Sequence, residues 1–219
     1  MNCQLVNDVI PHLGLDPPPP QQDLTLLLPS ECLSAVFAKL PASDRNNCSL
    51  VCKRWHSVDA TSRGHATLEA RHDLVKHIKP LLLRFDHLTS ISLKCPRHVL
   101  SIDDSALALV AKMSPNLHKL KLKSCRAITD AGLEHFSKAC PSLRKLSCSS
   151  CGFGAIGLNA IVLNCGDLED LSVKRFKRLL ENPPLDAIAS GKGKLRRLSL
   201  KDVCNAQFFG TLISSAKGL

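Results

Sequence analysis

Tyrosine is absent from this 219-residue chain, tryptophan occurs once and phenylalanine seven times. So few rings exclude a core built on aromatic packing, and they exclude the row of stacking platforms on which single-stranded nucleic acid is held. Leucine must fill the interior instead. No run of about 18 apolar residues free of charge is present, which excludes a membrane-spanning helix readable from sequence. The opening MNCQLVNDVIPHLG has neither the basic end nor the apolar run of an export signal. The sequence therefore reads as a soluble protein of the nucleus or cytoplasm, and its eleven cysteines as reduced thiols. Acids are scarce as well. Only 19 Asp and Glu face 29 Lys and Arg, and the formal charge of +10 favours an acidic partner such as a phosphate, a nucleic acid or an acidic peptide.

Along the chain, LGLDPPPPQQD (13–23) holds four consecutive prolines and almost nothing to bury, so 1–24 reads as a disordered tail or spacer, with a proline-recognition ligand as the alternative. From Leu28 the pattern changes. In LPSECLSAVFAKL, Cys32, Leu33, Val36, Phe37 and Leu40 recur at steps of three and four, the apolar stripe of a helix opened by Pro29 and Ser30 and closed by Pro41. A second helix is predicted from Ser43 or Asp44, carrying Cys48, Val51, Cys52 and Trp55 at the same spacing, and a third from Trp55 onward. Three short helices make a marginal core and leave apolar surface for a partner. Residues 66–86 place Leu68, Leu74, Val75, Ile78, Leu81, Leu82 and Phe85 in a pattern that predicts a helical connector.

The rest of the chain repeats itself. HLTSISLKC, NLHKLKLKSC, SLRKLSCSSC, DLEDLSVKRF and KLRRLSLKDVC share one frame, and their leading residues Leu88, Leu117, Leu143, Leu168 and Leu195 are 29, 26, 25 and 27 positions apart. That is the period of leucine-rich repeats. Alternate strand residues point inward, so Leu120 and Leu122 are predicted to face the core while Lys119, Lys121 and Lys123 face solvent. The return leg is helical: in ITDAGLEHFSKACP, Leu133, Phe136 and Ala139 or Cys140 form the buried stripe, with Asp130 as the cap. Similar helices are predicted from Asp104, Gly157 and Ala206, and a looser turn at PLDAIAS. Leu219 stands 24 residues after Leu195, in the place of a further leading leucine, so the array is expected to be C-terminally incomplete.

LPSECLSAVFAKLPASDRNNCSLVCKRW resembles an F-box, with Leu28, Pro29, Glu31, Leu33, Val36, Phe37, Leu40, Asp44 and the closing Val51 to Trp55; Arg45 and Asn46 stand where many F-boxes have a leucine pair. LHKLKLKSCRAITDAGLEHFSKACPSL resembles the cysteine-containing subclass of leucine-rich repeats. Together they resemble plant F-box/leucine-rich-repeat proteins of the VIER F-box kind. The resemblance implies a small all-α F-box (25–65), then, beyond the connector, an α/β leucine-rich-repeat solenoid (87–219) with parallel strands on the concave face and helices outside. It also implies a non-catalytic subunit of a Skp-cullin-F-box ubiquitin ligase, bound to the Skp adaptor and through it to a cullin-RING ligase, with no cofactor. The adaptor would be met by Leu28, Pro29, Cys32, Leu33, Val36, Phe37, Val51, Cys52 and Trp55, and a protein substrate by the repeats.

Other chemistry is weighed against the repeat frame. Cys148 and Cys151 form a C-x-x-C flanked by Cys140 and Cys165, a set that zinc would accept. The frame explains the same thiols without metal, since Cys148 replaces an inward leucine, Cys125 and Cys151 share a position after the strand, and Cys140 and Cys165 end equivalent helices. GFGAIG (152–157) lacks the spacing and the acidic follow-up of a dinucleotide loop and reads as a repeat turn. His72 and His77 have no partner spacing, and no Ser, His and Asp set stands on a nucleophile turn. The outward strand positions carry Lys94, Lys119, Lys121, Lys123, Lys145, Lys174, Arg197 and Lys201 against Asp170 alone. Such a ladder fits an acidic or phosphorylated protein substrate. A basic nucleic-acid-binding repeat protein is the alternative, and the missing aromatics argue against it.

Overall fold

A computed structural model describes residues 23–85, 87–176 and 194–203, together with positions 209, 210 and 213. The proline-rich tail, the turn at PLDAIAS and most of the helix expected from Ala206 lie outside the described residues.

Asp23 caps a 3-10 turn at Leu24–Leu27 by accepting the Thr25 N–H at 2.9 Å. Helix α1 (Ser30–Lys39) follows Pro29, whose fixed φ and missing donor suit a helix start. Two helices then stand where the stripe predicted one running on past Cys48, namely α2 (Ala42–Cys48) and α3 (Lys53–Ser62). The break has a local cause. Ser49 Oγ donates to the Asn46 carbonyl at 2.8 Å, while Cys52 is extended and its Sγ accepts the Trp55 N–H at 3.5 Å. Side chains that bond nearby backbone compete with helix continuation, and here they end one helix and open the next. Leu33, Phe37 and Val58 are buried with Leu40, Cys48 and Trp55 against them, and the Phe37 and Trp55 rings meet edge-on at 5.4 Å.

The expected helix over 66–86 is corrected by the structure. His65–Glu69 is a strand, β1, followed by a 3-10 turn at His72–Leu74 and only then by helix α4 (Val75–Arg84). In HATLE the apolar residues alternate, and β2 (Ser90–Lys94) offers a partner: Ala66 stands opposite Ile91 and Leu68 opposite Leu93. Leu68 therefore belongs to a period-two face and not to the helical stripe.

The remaining elements alternate strand and helix: α5 (Asp104–Met113), β3 (Lys119–Lys123), α6 (Asp130–Ala139), β4 (Lys145–Ser149), α7 (Ala155–Asn164), β5 (Asp170–Phe176) and β6 (Arg197–Val203). The six strands form one parallel sheet in chain order. Two inward rows cross it. One runs Ala66, Ile91, Leu120, Leu146, Leu171, Leu198; the other runs Leu68, Leu93, Leu122, Cys148, Val173, Leu200. From Ile91 to Val173 every member is buried, and helix residues such as Leu107, Val110, Leu133, Phe136, Leu158 and Ile161 close over the rows in one continuous core.

Successive helices are tied by their first-turn acids. The Asp104 carboxylate accepts the Thr129 N–H at 2.8 Å, and Asp130 accepts the N–H groups of Gly154 at 2.7 Å and Gly157 at 2.6 Å. Asp130 thus caps the following helix, and not its own as the sequence predicted; Thr129 takes that place. The glycine of DAGL follows from the same contact, because a Cβ on Gly132 would lie 2.0 Å from Asp104 Oδ1.

A buried carboxylate joins the helical module to the sheet region. Asp59 of α3 is fully buried and meets Arg45 of α2 at 2.6 Å, Arg63 at 3.0 Å and Arg84 of α4 at 3.3 Å, and Arg63 and Arg84 both stack on the Phe85 ring. Arg45, in the place of a leucine, is therefore an ion-pair partner. Asp59→Asn leaves three guanidinium groups around a neutral amide, and urea denaturation should show a loss of about 3 kcal/mol. Leu122→Ala, in the centre of an inward row, should lose a similar amount, about 3 kcal/mol, in the same assay.

Candidate functional site

Two surfaces stand out. The first is apolar: Leu24, Leu26, Leu27, Leu28, Val36, Leu50 and Val51 are all exposed, with Leu27 at 79% and Leu50 at 80%. They come from the 3-10 turn, from α1 and from the α2–α3 link. Arg54 of α3 holds the turn in place, its guanidinium donating to the carbonyls of Thr25, at 2.5 Å, and Leu28. These hydrogen bonds hold the turn with its leucines in water, and large apolar side chains exposed together on one segment make it a candidate interaction surface.

Of the residues expected to meet an adaptor, Leu28, Cys32, Val36, Val51 and Cys52 are on the surface and Pro29 is exposed at the start of α1. Leu33 and Phe37 are not available for contact, being 2% and 1% exposed; with the half-buried Trp55 they build the core beneath the surface. Leu24, Leu26, Leu27 and Leu50 were missed by sequence reasoning. Leu24, Leu26 and Leu27 precede the stripe counted from Cys32, and only the LTLLL run could have signalled them; Leu50 falls off the stripe of Cys48, Val51, Cys52 and Trp55 and carried no such signal.

The second surface is the sheet face opposite the helices. Its outward positions align in three rows: His65, Ser90, Lys119, Lys145, Asp170, Arg197; Thr67, Ser92, Lys121, Ser147, Ser172, Ser199; and Glu69, Lys94, Lys123, Ser149, Lys174, Lys201. All eight cations expected to meet a substrate lie in these rows. Strand β1 adds His65, Thr67 and Glu69, so a second carboxylate joins the face, opposite Lys94. Neighbouring strands are about 4.8 Å apart, inside a Debye length of about 8 Å, and the charges act as one field. Asp170 binds Arg197 at 3.4 Å, and a shallow hollow of about 440 Å³ around it is lined by Lys119, Lys121, Lys145 and Arg197 with serines between them. His65 contacts Ser90 Oγ at 3.0 Å and Thr67 Oγ1 at 3.2 Å. Burial first, then the Lys119 and Lys94 charges, hold its pKa below the ordinary histidine value against an opposing pull from Ser90, and so disfavour the charged ring.

Cys140, Cys148 and Cys165 serve the repeat frame. Cys148 fills an inward strand position. Cys140 Sγ donates to the carbonyls of Ala111 and Ser114 at 3.7 Å, and Cys165 Sγ to that of Cys140 at 3.6 Å. A small thiol with one weak donor fits where a helix end meets a carbonyl of the preceding repeat. In the GFGAIG turn, a Cβ on Gly152 would lie 1.9 Å from the Arg126 carbonyl oxygen, and Phe153 packs on Phe176 at 5.3 Å.

With this geometry in view, the likenesses to known proteins fall into place. The F-box domain family matches residues 26–59, the stretch that holds α1, α2 and the start of α3, so an F-box helical region precedes the parallel α/β region. The chain is also similar to F-box/LRR-repeat protein 12 of Arabidopsis thaliana, 28% identical over 150 residues, covering 61% of this chain and 37% of that protein. The chain thus spans little more than a third of the length of that relative.

Burial pushes the Cys140 thiol up to about 11 and the Cys165 thiol up to about 12. At pH 8 about one Cys140 in a thousand is a thiolate. Iodoacetamide at that pH should label the exposed Cys32 and Cys52 within minutes and leave Cys140 and Cys165 unmodified until urea is added, as read by peptide mass mapping.

Proposed function

We propose that this chain is the substrate-receptor subunit of a Skp-cullin-F-box ubiquitin ligase, working in the nucleus or cytoplasm. The F-box region docks on the Skp adaptor through its exposed apolar surface. The parallel α/β region is a leucine-rich-repeat solenoid of the cysteine-containing subclass, as in plant proteins of the VIER F-box kind, and its basic concave face holds the protein to be ubiquitinated. The chain itself is an adaptor and performs no chemistry.

One observation carries the reading: six of these seven exposed large apolar residues fall inside the F-box match at 26–59, and Leu24 stands two residues before it. A fold that leaves Leu27 and Leu50 in water retains roughly 1.5–3 kcal/mol per side chain for a partner to recover. Helical modules that present such residues bind apolar grooves or helices of another protein. The basic rows support the second half, because a carboxylate- or phosphate-bearing protein laid along the strands meets eight cations in register.

Co-elution on gel filtration tests the first half. The full chain should travel with a plant Skp adaptor, and the Leu27→Glu/Val51→Glu variant should run alone while keeping its circular dichroism spectrum. Both positions are exposed, so folding survives the change. A wild-type chain that never co-elutes, under conditions where another F-box protein does, contradicts the proposal.

A further inference from the structure

An unusual backbone conformation recurs beside the third outward row. Ser124, Ser150, Arg175 and Asp202, each one residue past that row and, for Arg175 and Asp202, still inside β5 and β6, have φ of 58°, 55°, 52° and 53°. Non-glycine residues avoid this left-handed region, yet here four successive repeats adopt it. A hollow of about 490 Å³ lies beside these residues, toward the carboxyl-terminal ends of β2 to β5, within the usual range for ligand sites. Arg97, Lys123, Arg126 and Arg175 line it together with Ser124 and Ser150, and among the described residues no carboxylate does. Glu69 and Asp202, on the flanking rungs, are not part of its wall. Arg175 is turned back toward β4, its guanidinium donating to Ser149 Oγ at 3.4 Å.

Four cations with no acid among them repel one another, and the fold gains nothing from bringing them together. The backbone amides nearby are already engaged, Ser124 N–H with the Ser149 carbonyl at 2.8 Å and Ser150 N–H with that of Lys174 at 3.1 Å. These two amides are not free for an anion, and the four cationic side chains are what the hollow offers it. Guanidinium forks suit a phosphoryl group, which offers three acceptor oxygens and close to two negative charges at neutral pH.

We propose that the hollow formed by Arg97, Lys123, Arg126 and Arg175 binds a phosphomonoester carried by the protein that the sheet face receives. The inference deepens the substrate-receptor reading and rests on it for the carrier. It moves recognition from the middle of the basic rows to the strand ends, where three of the four cations, Arg97, Arg126 and Arg175, lie outside those rows.

The test uses the full chain with N-acetyl-O-phosphoserine amide, its unphosphorylated counterpart and inorganic phosphate, all at matched ionic strength with chloride. The readout is the thermal unfolding midpoint, which a ligand of the folded state raises in a saturable way. The phosphoserine probe should raise it with a half-saturation at least tenfold lower than the serine probe. The Arg126→Gln/Arg175→Gln variant should weaken that response tenfold or more, while Lys76→Gln/Lys79→Gln, which removes the same charge from α4, should not. An unchanged response in the arginine variant, or the same shift from chloride alone, overturns the proposal. Tighter binding of inorganic phosphate than of the phosphoserine probe also overturns it, because the hollow then takes the free ion. Co-elution with the Skp adaptor, measured on the same arginine variant, separates the two readings: adaptor binding without a phosphate response sinks only the pocket, and failure of the wild-type chain to bind the adaptor sinks the receptor role.

Discussion

The structure rests on one constraint: no strand–helix unit of this chain can bury its inward residues by itself. Leu120 and Leu122 are closed off from water only because Ile91 and Leu93 stand on one side and Leu146 and Cys148 on the other. Each unit is thus both core and lid for its neighbours, and stability passes along the array as a chain of interfaces. The polar contacts obey the same logic. Asp104 and Asp130 spend their carboxylates on the next helix, and Cys140 and Cys165 give their thiol protons to carbonyls of the preceding unit. Register is therefore fixed twice over, by the apolar rows inside and by hydrogen bonds along the helical layer.

What stacking does not use becomes available for binding. The inward rows consume the leucines, and the outward rows are left with lysine and serine in an almost unbroken grid. The helical module shows the opposite remainder: its small core absorbs Leu33, Phe37 and Val58, and seven large apolar residues are left outside. Asp59 links the two parts through Arg45, Arg63 and Arg84, so the apolar surface and the basic face belong to one connected scaffold.

Much of this was legible in the sequence because period and spacing carry it. The leading leucines predict the strands β2 to β6, and the alternation of KLKLK predicts which side chains face water. The first strand was not legible in the same way. HATLE lacks a leading leucine in the shared frame, and Leu68 falls by chance into a helical stripe with Leu74 and Val75; only the neighbouring strand decides its fate. The residues expected to meet an adaptor divide similarly. Spacing identifies a stripe, yet it does not say which members go inside, so Leu33 and Phe37 were grouped with the surface residues Val36 and Val51. The arginine hollow was invisible for a different reason. Arg97, Arg126 and Arg175 are scattered in sequence and come together only when β2 to β5 stand side by side.

Hydrogen–deuterium exchange of the full chain, alone and mixed with a Skp adaptor, addresses the central claim most directly. The account predicts new protection confined to peptides spanning residues 24–40 and 47–55, with exchange across Lys145–Ser149 unchanged. Protection on the sheet strands with none on the helical module would contradict it.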